Sequence, residues 1–303
     1  MTAPAQKALP AELWRERQRA HAARVDAWTG PHLARRRLGQ AHPVEDFLFT
    51  YYSLRPAQLR RWHPGSDHLL EGASASELGR DHVDVPGGAR LDVAAALTRL
   101  GATLRWVGTL LQRTAERPAL LGCFGLHEWA MVYRQPAEQL RHAAHPLRLG
   151  SATTDTVVES LPLRCSHADA FRFFAPAARP LNVTEVTRDR QLELEQPGCL
   201  HAGMDLYKWA YKLGPLVPSE LVADTFSLAR DIRLLDMQAS PYDLSDLGVE
   251  PVQVETAEGR SEYAERQRAF AERSGPLRAA VLAHCERWLA AADQMQMRAP
   301  LAP

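Results

Sequence analysis

Cysteine is scarce and unclustered. The 303 residues hold four, Cys123, Cys165, Cys199 and Cys285, with no two spaced as a CxxC pair. That spacing suggests neither a zinc ribbon nor a disulfide framework and leaves small buried thiols as the expectation. Long apolar runs are missing too. Nothing approaches the roughly twenty residues of a membrane span, and residues 1–9 carry no apolar leader segment, so a cytoplasmic protein without a membrane partner is expected. Net charge is absent: 36 basic residues balance 36 acidic ones. A protein wrapped along nucleic acid draws affinity from neutralised phosphates, so this balance speaks against that class while leaving room for a local basic patch. Strand-like alternation is sparse, with residues 161–165 and 251–255 the only good candidates.

What is present is helical. Residues 91–115 place Leu97, Leu100, Leu104, Val107 and Leu111 at helical steps. Further helices are predicted over residues 10–28 (ended by Gly30-Pro31), 119–134, 151–159, 166–174, 198–212, 218–238, 260–273 and 276–291. The aromatic stretch 43–53 reads as buried helix or strand, and the Gly- and Asp-rich stretch 66–88 as a loop. The expected fold is all-α, a single large helical domain over residues 1–303 with at most one or two short strands. Residues 1–64 form a basic helical arm packed on it, and residues 292–303 a flexible tail. Charge is uneven along the chain. Residues 1–64 carry eleven bases against five acids, and residues 217–265 carry eleven acids against three bases. Either the two regions face each other, or the basic arm meets an anionic partner such as DNA.

Polar chemistry interrupts the apolar pattern in three places. His127 and Glu128 sit within an apolar helix, where a buried carboxylate needs a partner. Adjacent helical residues point about 100° apart, so the two do not line one narrow site by default. In the second segment, Ser166 is placed to cap a helix with Asp169 as its box partner, leaving His167 unexplained. The third segment is the densest. His201 and Asp205, spaced i and i+4, share a helix face, a spacing that serves a metal site or an oriented His–carboxylate pair. A metal needs another ligand, for which His127, Glu128 and His167 are the candidates.

The strings HPVEDFLFTYY (residues 42–52), LRRWHPG (59–65), GCFGLHEWAMVYR (122–134) and EQPGCLHAGMDLYK (195–208) resemble a family widespread in actinobacteria whose members are commonly labelled 3-methyladenine DNA glycosylase. The likeness runs over roughly residues 13–289. It implies excision of alkylated bases from DNA without a cofactor. In that chemistry an aspartate stabilises a cationic sugar after the base is flipped, and a hairpin's backbone amides hold a phosphate. Asp231 and Asp236 lie at plausible distances beyond a turn with the sequence LGPLVP (213–218). That turn departs from the glycine-rich hairpin of helix-hairpin-helix glycosylases, because Pro218 has no N–H for a phosphate.

Three functions compete. As a glycosylase, the chain would use Asp236 or Asp231 for catalysis, stack the flipped base on Tyr51, Tyr52, Trp129 or Trp209, and hold phosphates with Arg35, Arg36, Arg37, Arg60 and Arg61. As a helical enzyme on a small molecule, it would use His127, Glu128, His201 and Asp205, with a divalent metal on His201, Asp205, His127 and His167, and with Tyr207 and Lys208 beside the substrate. As a non-catalytic binding protein, it would bury the three segments as fully satisfied networks.

Overall fold

The computed structural model describes residues 7–140 and 144–297. The chain begins with strand β1 (Lys7–Leu9) and helices α1 (Ala11–Arg37), α2 (Phe47–Tyr51) and α3 (Pro56–Arg60). It continues through β2 (His68–Glu71), α4 (Ala75–Leu78), β3 (His82–Val85) and β4 (Gly88–Leu91). Then follow α5 (Val93–Ala115), α6 (Leu126–Val132), α7 (Gly150–Ser160), α8 (Ala168–Phe171), α9 (Gln191–Leu194), α10 (Leu200–Lys212), α11 (Ser219–Gln238) and α12 (Ala257–Met297). The protein is largely helical, as its periodicity predicts.

The expectation of at most one or two short strands is corrected. Among the described residues β1, β2, β4 and β3 form a four-stranded sheet in that order, with β1 parallel to β2 and the other pairs antiparallel. The region read as a loop supplies β2, α4 and β3. These strands are three or four residues long, too short for a period of two to register. The favoured candidates fare differently: Leu163 makes one isolated bridge to Asn182, and residues 251–255 form no strand. The sheet closes a small apolar cluster of its own with Trp14, Trp62 and Leu78, beside the main helical core.

Two prolines fail to end their helices. The α1 helix runs through Pro31 and α12 through Pro276. A proline inside a helix removes one hydrogen bond and costs about 3 kcal/mol. In α1 that cost is met by burial on both sides of Pro31, from Trp14, His21, Val25 and Thr29 to His32. The predicted tail at 292 is helical as far as Met297, and residues 298–303 lie outside the described residues. The predicted helix 119–134 is only α6, because Phe124 and Gly125 both take left-handed backbone (φ 48° and 69°) just before it.

At the centre α10, α11 and α12 pack against one another, and α5 packs on α12. Gly203 allows the close crossing: a Cβ there would lie 2.8 Å from Ile232 Cδ1 and 3.0 Å from Ser274 Oγ. The oppositely charged regions do face each other. Arg17 pairs with Glu220 and Arg24 with Asp224, joining α1 to α11, while within the arm Arg35 holds Asp46 and Arg60 holds Asp26. No helix among the described residues is long and apolar enough to cross a membrane.

Candidate functional site

The N-terminus of α10 is fixed by the loop before it. Gln196 accepts from the backbone N–H of Leu120 and of Gly198 and donates to the Leu120 carbonyl, while Gln267 of α12 donates to the Gly198 carbonyl. Gly198 is required by this approach, since a Cβ would meet Leu120 O at 2.8 Å. The loop sets His201 against the start of α6, where the left-handed pair Phe124-Gly125 turns His127 inward.

Here the three segments converge on a fourth element. His127 Nε2 lies 2.7 Å from Asp236 Oδ1 of α11, and both side chains are buried. At that distance the two form a buried imidazole–carboxylate ion pair, although their angles fall short of a regular hydrogen bond. The rings of His127 and His201 meet edge to face at 4.5 Å. Among the described residues, His127, His201 and Asp236 form the one group whose ligand atoms all fall within 4.8 Å of one another. The other oxygen of Asp236 accepts from Arg233 at 2.6 Å, and the same guanidinium nitrogen donates to Glu128 at 2.9 Å. Arg233 also stacks on Phe47 at 3.9 Å. His127 and Glu128, although divergent on their helix, therefore serve one aspartate: His127 meets it directly and Glu128 through Arg233.

Electrostatics follow from burial and charge together. Burial opposes a charge on His127, but the Asp236 carboxylate overrides it and raises the imidazole pKa well above its ordinary value. Burial and the neighbouring His127 push His201 well below. Asp236 remains ionised against burial because His127 and Arg233 flank it.

The pairing expected from i,i+4 spacing is corrected. His201 belongs to the group just described, whereas Asp205 belongs to a second cluster. Asp205 accepts from the Tyr52 hydroxyl at 2.9 Å and from Lys208, and Lys208 also donates to Asp169 at 3.0 Å. Asp169 is no capping partner: His167 occupies the N-cap of α8 without a side-chain cap, and the Asp169 carboxylate is held by Lys208 and by Arg188 at 2.9 Å. His167 stands between the clusters, stacked 5.2 Å from His201, with Nε2 at 3.3 Å from Asp205 and 3.7 Å from Glu195. Its two ring nitrogens have no hydrogen-bond partner. The sharing of one ammonium by two carboxylates raises the Lys208 pKa to about 12 despite burial.

The remaining candidates lie elsewhere. Asp231 is on the surface, paired with Arg273 at 2.7 Å. Trp129 is fully buried with its indole N–H on the Ala239 carbonyl, Tyr207 is fully buried, and Trp209 packs on Trp106. Tyr51 stacks on Phe47. None of these rings lines the cavity beside His127. That cavity has room for about one water and is bordered by His127, His201, Tyr263 and three of the four cysteines, Cys123, Cys165 and Cys199. All four thiols are unpaired, and Cys123 Sγ lies 3.8 Å from His127 Nδ1. Sequence reasoning missed the gathering of these thiols, which no spacing reveals. It also missed Arg233, whose signal was available as a lone cation between Ile232 and Leu235 on a buried helix face. Comparison of the chain with protein-family models, with curated proteins and with solved structures gives no match in any of the three.

Proposed function

We propose that this protein is a metal-dependent enzyme acting on a small molecule, with a divalent ion held by His127, Asp236 and His201. One observation carries the reading. The ligand atoms of His127, His201 and Asp236, in a largely buried group, all lie within 4.8 Å of one another, so a divalent ion could take the place of the proton that His127 presents to Asp236. Two imidazoles and a carboxylate with an open side suit zinc or iron(II). Arg233 and Glu128 would orient the Asp236 ligand from behind, as outer-shell groups do. Cys123 would fix the His127 ring through Nδ1. The adjoining water-sized space would hold a metal-bound water, whose pKa such an ion lowers to about 7, supplying a hydroxide for hydrolysis. The non-catalytic alternative calls for satisfied networks, and the unaligned atoms of His127, His167 and Asp236 count against it.

The test is elemental analysis with zinc, cobalt(II) and manganese(II) titrations of the chelator-treated protein. The expected result is one ion per chain, a rise in melting temperature, and loss of both in His201→Ala. No stoichiometric ion and no thermal response to any of the three would sink the proposal. Excision of alkylated bases from DNA is the second proposal. The favouring observation is that His127 and Arg233 hold Asp236 ionised, the state in which it could stabilise a sugar cation. Release of alkylated base from methylated DNA by the wild type, abolished in Asp236→Asn, is its expected outcome; no release beside an active control glycosylase ends it. A cytoplasmic location goes with either reading and is supported by four unpaired thiols.

A further inference from the structure

A larger cavity lies away from this group. It encloses about 490 Å³ between the small sheet and the helical body, within the size range of small-molecule sites. One wall is the segment from Leu78 to His82, which leads from α4 into β3. The other is the C-terminal end of α10 with the turn that leads to Ser219. Tyr211 lines this cavity and His201 the other, so along α10 the two sites lie about 15 Å apart.

The chemistry of the lining is cationic and donor-rich. Arg61 and Arg80 face the cavity, and among the described residues neither guanidinium has an ion-pair partner. This sets Arg61 apart from Arg17, Arg24, Arg35 and Arg60 of the same arm, each of which is held by a carboxylate. The acid on the rim, Asp81, is engaged by Arg99. Two imidazoles join them. Burial keeps His63 neutral, with its pKa lowered to about 4, and lowers that of His82. The His82 Nδ1 is buried with no hydrogen-bond partner. Leu54, Leu59, Pro215 and Val222 give the rest of the lining an apolar character. An anion would find two unclaimed guanidiniums there. An apolar body attached to it would cover the leucines and Pro215. Guanidinium forks match the oxygens of phosphate and carboxylate alike.

We propose that this cleft binds a small organic anion, an apolar body bearing a phosphate or carboxylate group, through Arg61 and Arg80. The site is independent of any ion at His127, His201 and Asp236. The experiment titrates the full chain with phenyl phosphate, benzoate and phenol while following histidine ring signals by NMR. Phenyl phosphate or benzoate should bind at least tenfold more tightly than phenol, shifting His63 and His82 and leaving His127 and His201 unmoved. Whichever anion binds more tightly identifies the headgroup. Arg61→Gln with Arg80→Gln should cost at least tenfold in that affinity, and chelator treatment should change nothing. Because both arginines lack ion-pair partners, the double variant should fold; Leu78→Trp, which fills the cleft from its wall, gives a second test and should also abolish binding. Equal binding of phenol, no binding of either anion, or anion binding indifferent to both variants overturns the proposal.

Discussion

Two buried polar clusters share the core, built from the same residue types, and they differ in how completely their carboxylates are satisfied. In the cluster on α10 and α8, Asp205 takes a tyrosine hydroxyl and an ammonium, and Asp169 takes the same ammonium and a guanidinium. In the cluster on α6 and α11, Asp236 has one oxygen held by Arg233 and the other paired with the His127 imidazole at 2.7 Å without regular hydrogen-bond angles. The first cluster reads as a structural fastening. The second holds its imidazole–carboxylate pair in irregular hydrogen-bond geometry, which a buried pair does at a cost unless something binds there. Counting polar residues cannot separate the two; following each oxygen to its partners does.

The comparison can be broken most forcefully at its cations. Arg233→Met leaves Glu128 and Asp236 buried without compensation and should cost about 3–5 kcal/mol in denaturant unfolding, the range for removing one partner of a buried pair. A loss below about 1 kcal/mol would mean that the network is solvated in solution. Metal should then divide the clusters. Zinc at a hundredfold excess over its dissociation constant should stabilise the wild type by about 2.7 kcal/mol. Asp205→Asn should keep that increment and His201→Ala should lose it, so the reverse result would transfer the site to Asp205. Tyr52→Phe removes one hydrogen bond to a charged acceptor and should cost about 1.5 kcal/mol, with the zinc increment intact. The smallest effect concerns acid. Burial alone would raise the Asp205 pKa, but Lys208 and His167 hold it well below the ordinary carboxylate value. Its contribution is therefore fully present above about pH 4 and lost as pH falls below that. In Lys208→Met less of that contribution should remain and its loss should be complete at a higher pH, which acid titration followed by circular dichroism would detect.

Much of the helical framework was legible. The apolar period of α5 and the extents of α7, α10 and α11 follow the sequence closely, because those segments are long enough for a period of 3.6 to stand out. The continuations through Pro31 and Pro276 were hidden, since local propensity argues for a stop and only packing from distant residues overrides it. In the site, His127 and His201 were legible as polar residues on apolar faces, and Asp236 as an aspartate of the following helix. Their association was not. It joins residues more than a hundred positions apart, whereas the i,i+4 rule favoured Asp205, whose real partner is Lys208 three residues on. Arg233 shows the limit well: its charge pattern with Asp236 is local, but Glu128 is what completes it.

The crossing at Gly203 has a mechanical consequence. A Cβ at position 203 would press on the ends of the Ile232 and Ser274 side chains, so α10 is keyed at that point, and sliding it along its axis would drive a larger side chain of the same face, Leu200 or Leu206, into the gap. A keyed shaft transmits no thrust. Occupancy of the cleft at one end and of the His–Asp group at the other should accordingly be felt as two separate events, unless α10 rotates or its ends unwind.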